Sequence, residues 1–456
     1  MSKRMSKPLL IMLGGLSLAT LSGCGASGEE SSDVISIAIV SDTAEETTIN
    51  TFIRGFRALP ENSNVKFKIE KYNEYNNNIS KAFLYDELPD IIQVYDYNCE
   101  YYTNEDLSGN GTSLLQPISS LMDRDGIEEG AFFPSIVEMT KCHNQNNDMY
   151  WLPRDYNKVV CAYNKDMFDL AEIEYPSEGW TWSEFLATLN ALKSKEAIIK
   201  SQYSHSAAFY PVDLNLTFPA VYYPILKSYG AELIDKETDT CFGSTEAAVD
   251  KAKGAWGKLL SLVDSKLAAP IAQKIPFTNK QAAMMFIVRP NLPTYVKGLG
   301  DEAIDFVSLP TYDDLPSGAT SYIGMGCSGY GITTSCPDSR KETAWSFLKY
   351  IVSEEGQNAF SEAGSGIPSL KSLALDENAS FKKYKVTDDY HPNHDAFVAN
   401  ADRDIPMNFM RGFHTDKQLS IDKYIKDRTL NSFVTSTDRD AYYKTYKTEM
   451  EKIWKK

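Results

Sequence analysis

The sequence predicts an α/β protein large enough for two lobes or two to three domains, and three observations carry that prediction. At 456 residues the chain exceeds what one ordinary core accommodates, which suits two lobes or two to three domains. Short β-branched runs alternate with stretches of helical period along its length, the pattern of strands joined by helices. Residues 149–185 (MYWLPRDYNKVVCAYNKDMFDLAEIEYPSEGWTWSEF) read strand, loop, strand, helix in mid-chain, an α/β crossover.

Taken in order, Val34 to Val40 is a first strand, followed by the polar turn Ser41-Asp42-Thr43. A turn at the C-terminal end of a parallel strand is where open α/β sheets bind ligands, which makes Asp42 a candidate. Glu45 to Leu59 is a helix with apolar positions at Ile49, Phe52, Ile53, Phe56 and Leu59. Val65 to Glu70 alternates as a second strand, Ile79 to Tyr85 is helical, and Leu88 to Tyr95 is a short apolar strand after a turn. In the crossover, Val159 to Tyr163 is a buried strand, and Thr181 or Ser183 caps the helix that follows. Gly230 to Gly243 has a turn-rich centre between two β runs and forms a hairpin, and Ser244 caps the next helix. Tyr322 to Thr334 is Gly-rich and β-like, and Glu342 to Val352 is helical. The tail after Pro368 is largely helical, with a mixed-charge face from Lys423 to Lys456 that is mostly solvated.

The N-terminus carries the sharpest local signal. Lys3, Arg4 and Lys7 form a basic region, and Leu9 to Leu21 is apolar but too short to span a membrane. The run ends in Leu21-Ser22-Gly23-Cys24, which looks like a bacterial lipobox, with cleavage before Cys24 and diacylation of its thiol. Two acyl chains anchor stably where one is marginal. Residues 25–33 are Gly/Ser/Glu-rich and make a flexible linker. Net charge is −16, and about −19 from Cys24 onward, which argues against nucleic acid and against electrostatic adhesion to an anionic membrane. Six further cysteines (Cys99, Cys142, Cys161, Cys241, Cys327, Cys336) show no C-x-x-C spacing and are expected to be mostly reduced. The five histidines form no metal-binding set, so neither metal nor cofactor is expected.

The crossover also resembles a known signature. Its Tyr150-Trp151-Leu152-Pro153, Tyr163-Asn164-Lys165-Asp166 and Trp182-Ser183-Glu184-Phe185 pieces are similar to the central "Y-x-x-P … Y-N-K-D-x-F … P-x-x-W-x-E-F" run of extracellular solute-binding proteins of ABC importers, the family of the maltose-binding protein. Leu88-Pro89-Asp90-Ile91-Ile92 resembles that family's "P-D-[IV]" strand, and Leu114-Leu115-Gln116-Pro117 resembles its "L-x-P-L" helix start. Phe277 to Ile287 resembles its "F-x-x-G-x-A-M" element, although Asn279-Lys280-Gln281 lacks the glycine. Phe306 to Pro310, Tyr322 to Thr334, the Ala344-Trp345 helix and Gly364 to Pro368 follow in the family's order, so the resemblance spans about residues 88–370. It implies a two-lobe periplasmic-binding-protein-like fold, each lobe a mostly parallel sheet flanked by helices, with the ligand cleft between lobes. The first lobe would take residues 34–153 and 325–365, and the second 154–324 and 366–456.

The chemistry in the chain points the same way. Gly324-Met325-Gly326-Cys327-Ser328-Gly329 satisfies G-x-G-x-x-G, but β-like Tyr330-Gly331-Ile332 follows where a dinucleotide site needs a helix. Those glycines instead let a strand run close to another backbone. Asp235 to Asp239 looks like a calcium loop but has Thr240 where the sharp turn needs Gly, so a hairpin tip is expected. No G-x-S-x-G elbow or H-E-x-x-H helix is present, and no carboxylate pair has a distinctive setting, so binding rather than catalysis is expected.

Sugars are held by aromatic faces and by polar groups that fix hydroxyls. The resemblance puts Tyr95, Tyr97 and Asn98 in a ligand loop, and Arg154 and Asp155 in the crossover loop where the family places a ligand carboxylate. It puts Tyr210, Asp213 and Asn215 at second-lobe contacts, and Arg289 and Asn291 where the maltose-binding protein stacks an aromatic. Arg289 departs from that pattern and suggests a more polar or anionic ligand; Ser328 completes the set. Trp180, Trp182, Trp256 and Trp345 are assigned to cores. The expected function is a monomeric, lipid-anchored component on the extracellular face of a bacterial membrane that captures an oligosaccharide and passes it to permease subunits. The rival classes are a secreted carbohydrate-active enzyme and a tethered sensor or adhesin on the same fold.

Overall fold

The computed structural model describes residues 34–103, 112–142, 147–203, 207–231, 234–235, 240–241, 246–270, 276–300, 303–362, 364, 366–406, 441, 448–449 and 451–452. The leader with Cys24, the linker, the hairpin tip at 236–239, Ser244 and most of the 423–456 tail lie outside the described residues.

Two sheets form the frame. The first has the order β2 (Lys66–Tyr72), β1 (Val34–Val40), β3 (Ile91–Tyr95), β13 (Ser328–Ile332), β4 (Leu152–Pro153). The second has the order β11 (Ile304–Val307), β6 (Val160–Asn164), β10 (Ala282–Ile287), β7 (Tyr210–Asp213). A small sheet of β14 (Asp404–Pro406), β12 (Ile323–Gly326) and β5 (Asn157–Lys158) lies at the crossings. Ile234–Asp235 and Thr240–Cys241 pair as the expected hairpin.

Each large sheet runs in one direction except for a single strand: β13 is antiparallel to β3 and β4, and β6 is antiparallel to β10 and β11. Both reversed strands follow a crossing. A chain arriving from the other lobe enters at the C-terminal ends of the parallel strands and must run against them.

Strand alternation explains the apolar runs. Along β6, Cys161 and Tyr163 face one core cluster while Val160 and Ala162 face the other, and along β10 Met284 and Phe286 oppose Met285 and Ile287. A sheet covered on both faces needs near-continuous apolar strands rather than alternating ones. The tryptophans assigned to cores are buried there. Trp182 begins a helix (Trp182–Ser194) closed by a capping box between Thr181 and Glu184. None of the described Cys99, Cys142, Cys161, Cys327 and Cys336 is in a disulfide.

The glycines of 324–329 mark close backbone approach. A Cβ on Gly324 would lie 1.8 Å from the Ala220 carbonyl oxygen, and one on Gly329 2.0 Å from that of Leu152. This pins the start of the Pro219–Ser228 helix against β12 and holds β13 against β4.

The chain from Gly364 to Pro406 then straps the two units. Ser369 Oγ donates to the Pro153 carbonyl at 2.7 Å, Asn393 N to Asp305 Oδ1 at 2.6 Å, and β14 pairs with β12. Arg289 anchors the strap. Its Nε donates to the Gly364 carbonyl at 2.7 Å, Nη2 to that of Phe381 at 2.6 Å, and Nη1 to His394 Nδ1 at 2.7 Å. The His394 Nε2–H in turn donates to the Tyr384 carbonyl at 2.7 Å, so the ring is neutral. Burial, with the neighbouring guanidinium, pushes His394 down to about 3.

An unfolded histidine takes up its proton near pH 6.5, and the native ring does not until about 3, so stability falls as pH drops through that window, by up to about 1.4 kcal/mol per unit. Thermal denaturation at pH 7, 5.5 and 4 should show His394→Gln losing stability relative to the native chain at neutral pH and the gap narrowing towards pH 4. A gap that stays constant would contradict a neutral His394.

Candidate functional site

Both sheets present C-terminal strand ends to one cavity of about 360 Å³. From the first sheet come Tyr95, Asp96 and Tyr97, which follow β3. From the second come Val288 and Pro290, which follow β10, together with Phe218 and Ala220 at the start of the Pro219–Ser228 helix. The crossings supply Arg154, Asp155, Asn157, Gly326, Cys327 and Ser328, and helix α1 (Thr43–Ala58) supplies Ala44, Glu45 and Thr48.

Arg154 organises the polar side. The residue is 5% exposed, and its five N–H donors are all spent. Nε donates to Asp155 Oδ2 at 3.0 Å, Nη2 to Ser328 Oγ at 2.7 Å and to Glu45 Oε1 at 3.1 Å, and Nη1 to Glu45 Oε2 and the Tyr330 hydroxyl. Ser328 passes its hydroxyl proton to Asp155 Oδ2 at 2.7 Å, while the Ser328 N–H and Asn157 Nδ2 hold Asp155 Oδ1 at 2.8 and 3.0 Å. Gln93 Nε2 donates to Glu45 Oε2 at 2.7 Å. Burial by itself would lower Arg154, but the carboxylates of Glu45 and Asp155 outweigh it and hold the guanidinium well above its usual value.

The apolar side is aromatic. Tyr95 and Tyr97 stack with ring centroids 5.2 Å apart and an interplanar angle of 15°. Burial first, then Asp96 and Glu45, push Tyr97 up to about 12, so its phenol is neutral. Phe218 and Phe360 complete that face of the wall.

The residues singled out from sequence divide cleanly. Tyr95, Tyr97, Arg154, Asp155 and Ser328 come together at the cavity. Asn98 is buried behind the tyrosines: its Oδ1 accepts from Tyr95 N at 2.9 Å and its Nδ2 donates to Asn76 and Tyr102, which holds the turn. Asp42 is exposed and spends its carboxylate capping α1, accepting from Ala44 N at 2.8 Å and Glu45 N at 3.3 Å. Tyr210, Asp213 and Asn215 lie outside the wall, with Asp213 Oδ1 accepting from Asn215 N and Asn215 Nδ2 donating to the Phe286 carbonyl. Arg289 is fully buried in the strap and Asn291 is exposed. Arg289 therefore gives no ground for an anionic ligand, because its fork is filled by protein carbonyls and His394.

Sequence reasoning passed over Glu45, Phe218 and Phe360, whereas Asp96 and Asn157 lie in the two loops that it marked. Glu45 lies three residues after Asp42 of the polar turn, and Asn157 lies in the crossover loop, so both carried a signal. Phe360 carried none.

Comparison with known proteins fits this geometry. Residues 56–387 match the family model described as bacterial extracellular solute-binding protein. The chain belongs to that family. The family's description is that of solute-binding proteins. A curated relative from Brucella abortus, described as a binding protein, is 25% identical over 291 residues, and the match covers 60% of this chain and 64% of the relative. The fold is similar to that of the ABC substrate-binding protein Lmo0181 of Listeria monocytogenes, solved in complex with cycloalternan, with a TM-score of 0.66, 16% identity, and 92% and 98% of the two chains covered. It is also similar to the sugar-binding protein MalE from Xanthomonas citri, with a TM-score of 0.67, 14% identity, and 92% and 97% covered. The GacH receptor of Streptomyces glaucescens, solved unliganded and with acarbose, gives a TM-score of 0.64 at 18% identity over 92% and 98%. No helix among the described residues is long and apolar enough to cross a membrane.

Arg154→Ala would leave Glu45 and Asp155 facing each other with no cation between them. Breaking a buried pair this way costs about 3–5 kcal/mol. Urea denaturation should show a loss of that size, and a loss below about 1 kcal/mol would mean the network does not hold the crossings together.

Proposed function

We propose that this protein captures an oligosaccharide in the cavity between its sheets by lobe closure and delivers it to the permease subunits of an ABC importer. The observation that carries the reading is the pairing of stacked tyrosine faces with a buried polar network at the same cavity. Sugar rings present C–H faces that pack on aromatics and hydroxyls that need fixed partners, and this wall offers both. Tyr95, Tyr97, Arg154, Asp155 and Ser328 are assigned to the ligand site, with Glu45, Asn157, Phe218 and Phe360 added to them. The neighbours that bind cycloalternan and acarbose share the fold and support a carbohydrate as the ligand class. The residues are divided between a first lobe of 34–153 with 325–365 and a second of 154–324 with 366–456. A ligand touching both walls favours the closed arrangement by its differential affinity.

A thermal-shift screen of the full chain against neutral oligosaccharides tests the class. A ligand at one hundred times its Kd adds about 2.7 kcal/mol of stability. Tyr95→Ala should weaken the best hit at least about tenfold, or about 1.4 kcal/mol, in calorimetric titration. Absence of any saccharide shift, alongside a shift with a peptide, would refute the reading.

The leader supports lipid anchoring at Cys24 on the extracellular face, where tethering keeps the protein beside its permease. Cys24→Ala should abolish incorporation of labelled palmitate and release the protein from the membrane fraction. Continued labelling of that variant would exclude Cys24 as the acylated residue.

A further inference from the structure

We infer that the cavity takes a carbohydrate carrying a protonated amine and turns away acidic sugars. The inference rests on the carbohydrate reading above and adds the charge of the ligand. Three features of the wall point to it.

The first is formal charge. Among the described residues, Glu45, Asp96 and Asp155 line the cavity against one cation, Arg154, a formal charge of −2. The whole chain, at −16, has the same sign and attracts cations from a distance.

The second is hydrogen-bonding capacity. The donors of Arg154 are consumed by Glu45, Asp155, Ser328 and Tyr330, and the hydroxyl proton of Ser328 goes to Asp155. Acceptors remain. Asn157 Oδ1 is buried at the wall with no hydrogen-bond partner among the described residues, and Glu45 uses three of the about four acceptor sites of an ionised carboxylate, two on Oε2 and one on Oε1, which leaves one on Oε1. A buried acceptor is costly to leave unmet, so a bound group must donate to it. An ammonium brings three donors and no acceptor, whereas a carboxylate brings acceptors only.

The third is the aromatic pair. Tyr95 and Tyr97 lie parallel at the wall, each with a neutral phenol ring whose face attracts a cation.

Isothermal titration of the full chain with a glucosamine trimer, its N-acetylated neutral form and a galacturonic acid trimer separates the outcomes. The amine form is expected to bind at least about tenfold tighter than the neutral form, a difference of about 1.4 kcal/mol. The preference should shrink as salt rises from 0.05 to 0.5 M, because an electrostatic gain is screened, with the Debye length falling towards about 3 Å at 1 M. Asp96→Asn should narrow it, and the salt series on the native chain gives an answer even where that variant does not fold. The acidic trimer should show no heat. Equal binding of amine and neutral trimers, insensitive to salt, overturns the charge preference and leaves the carbohydrate reading intact. Binding of the acidic trimer overturns it outright. Binding of spermine with no saccharide bound would keep the preference for cations and sink the carbohydrate reading, and binding of none of these probes would sink both.

Discussion

The buried guanidinium of Arg154 is the constraint on which the rest of the molecule depends. A charge placed there must meet an opposite charge on every side or pay a large desolvation cost. Its fork reaches α1 through Glu45, the crossover through Asp155 and the returning strand β13 through Ser328. Three stretches far apart in the chain are thereby held at one point, and that point is the floor of the cavity. The geometry has a second consequence. Because the network satisfies itself, its ionic groups support the wall while the aromatic faces, the residual acceptors and the net charge meet the ligand.

Topology puts the cavity where it is. In each sheet the parallel strands end at the interlobe face, and the strand that arrives from the other lobe runs the opposite way. Open α/β sheets bind at the carboxyl ends of their strands, and two such edges facing each other make one enclosed site. Gly324 and Gly329 allow the crossing strands to approach backbone at distances a side chain would forbid. The strap from Gly364 to Pro406 then ties the lobes a third time, through Arg289 and its carbonyl partners. The same residue type thus serves two unlike ends: Arg154 is met by acids at the cavity, and Arg289 by carbonyls and aromatic faces in the core.

Much of this was legible before any coordinates. The strand Val34–Val40 and the Thr181 capping box stand where period and capping chemistry put them. Elements whose signals are local come through because their causes lie within a turn or a pleat. Tyr95, Tyr97, Arg154 and Asp155 were also marked, because the family resemblance puts ligand contacts in their loops, and Ser328 completed the set. Asp42 and Asn98 were marked as well, yet one caps a helix and the other locks a turn. Asp and Asn compete for backbone N–H groups as readily as for ligands, and the sequence pattern is the same in both cases.

What the sequence by itself determined is therefore many of the strands and helices, the α/β class, the family and the loops that matter, because each rests on periodicity, capping or motif order. Only the tertiary structure decided which polar side chains are spent. Arg289 looked like a ligand cation until its donors met Gly364, Phe381 and His394, residues 75 to 105 positions away. Glu45, Asn157 and Phe360 join the cavity through contacts of the same kind. Whether a charge faces solvent, ligand or another charge is set by neighbours distant in the chain, and no local pattern records them.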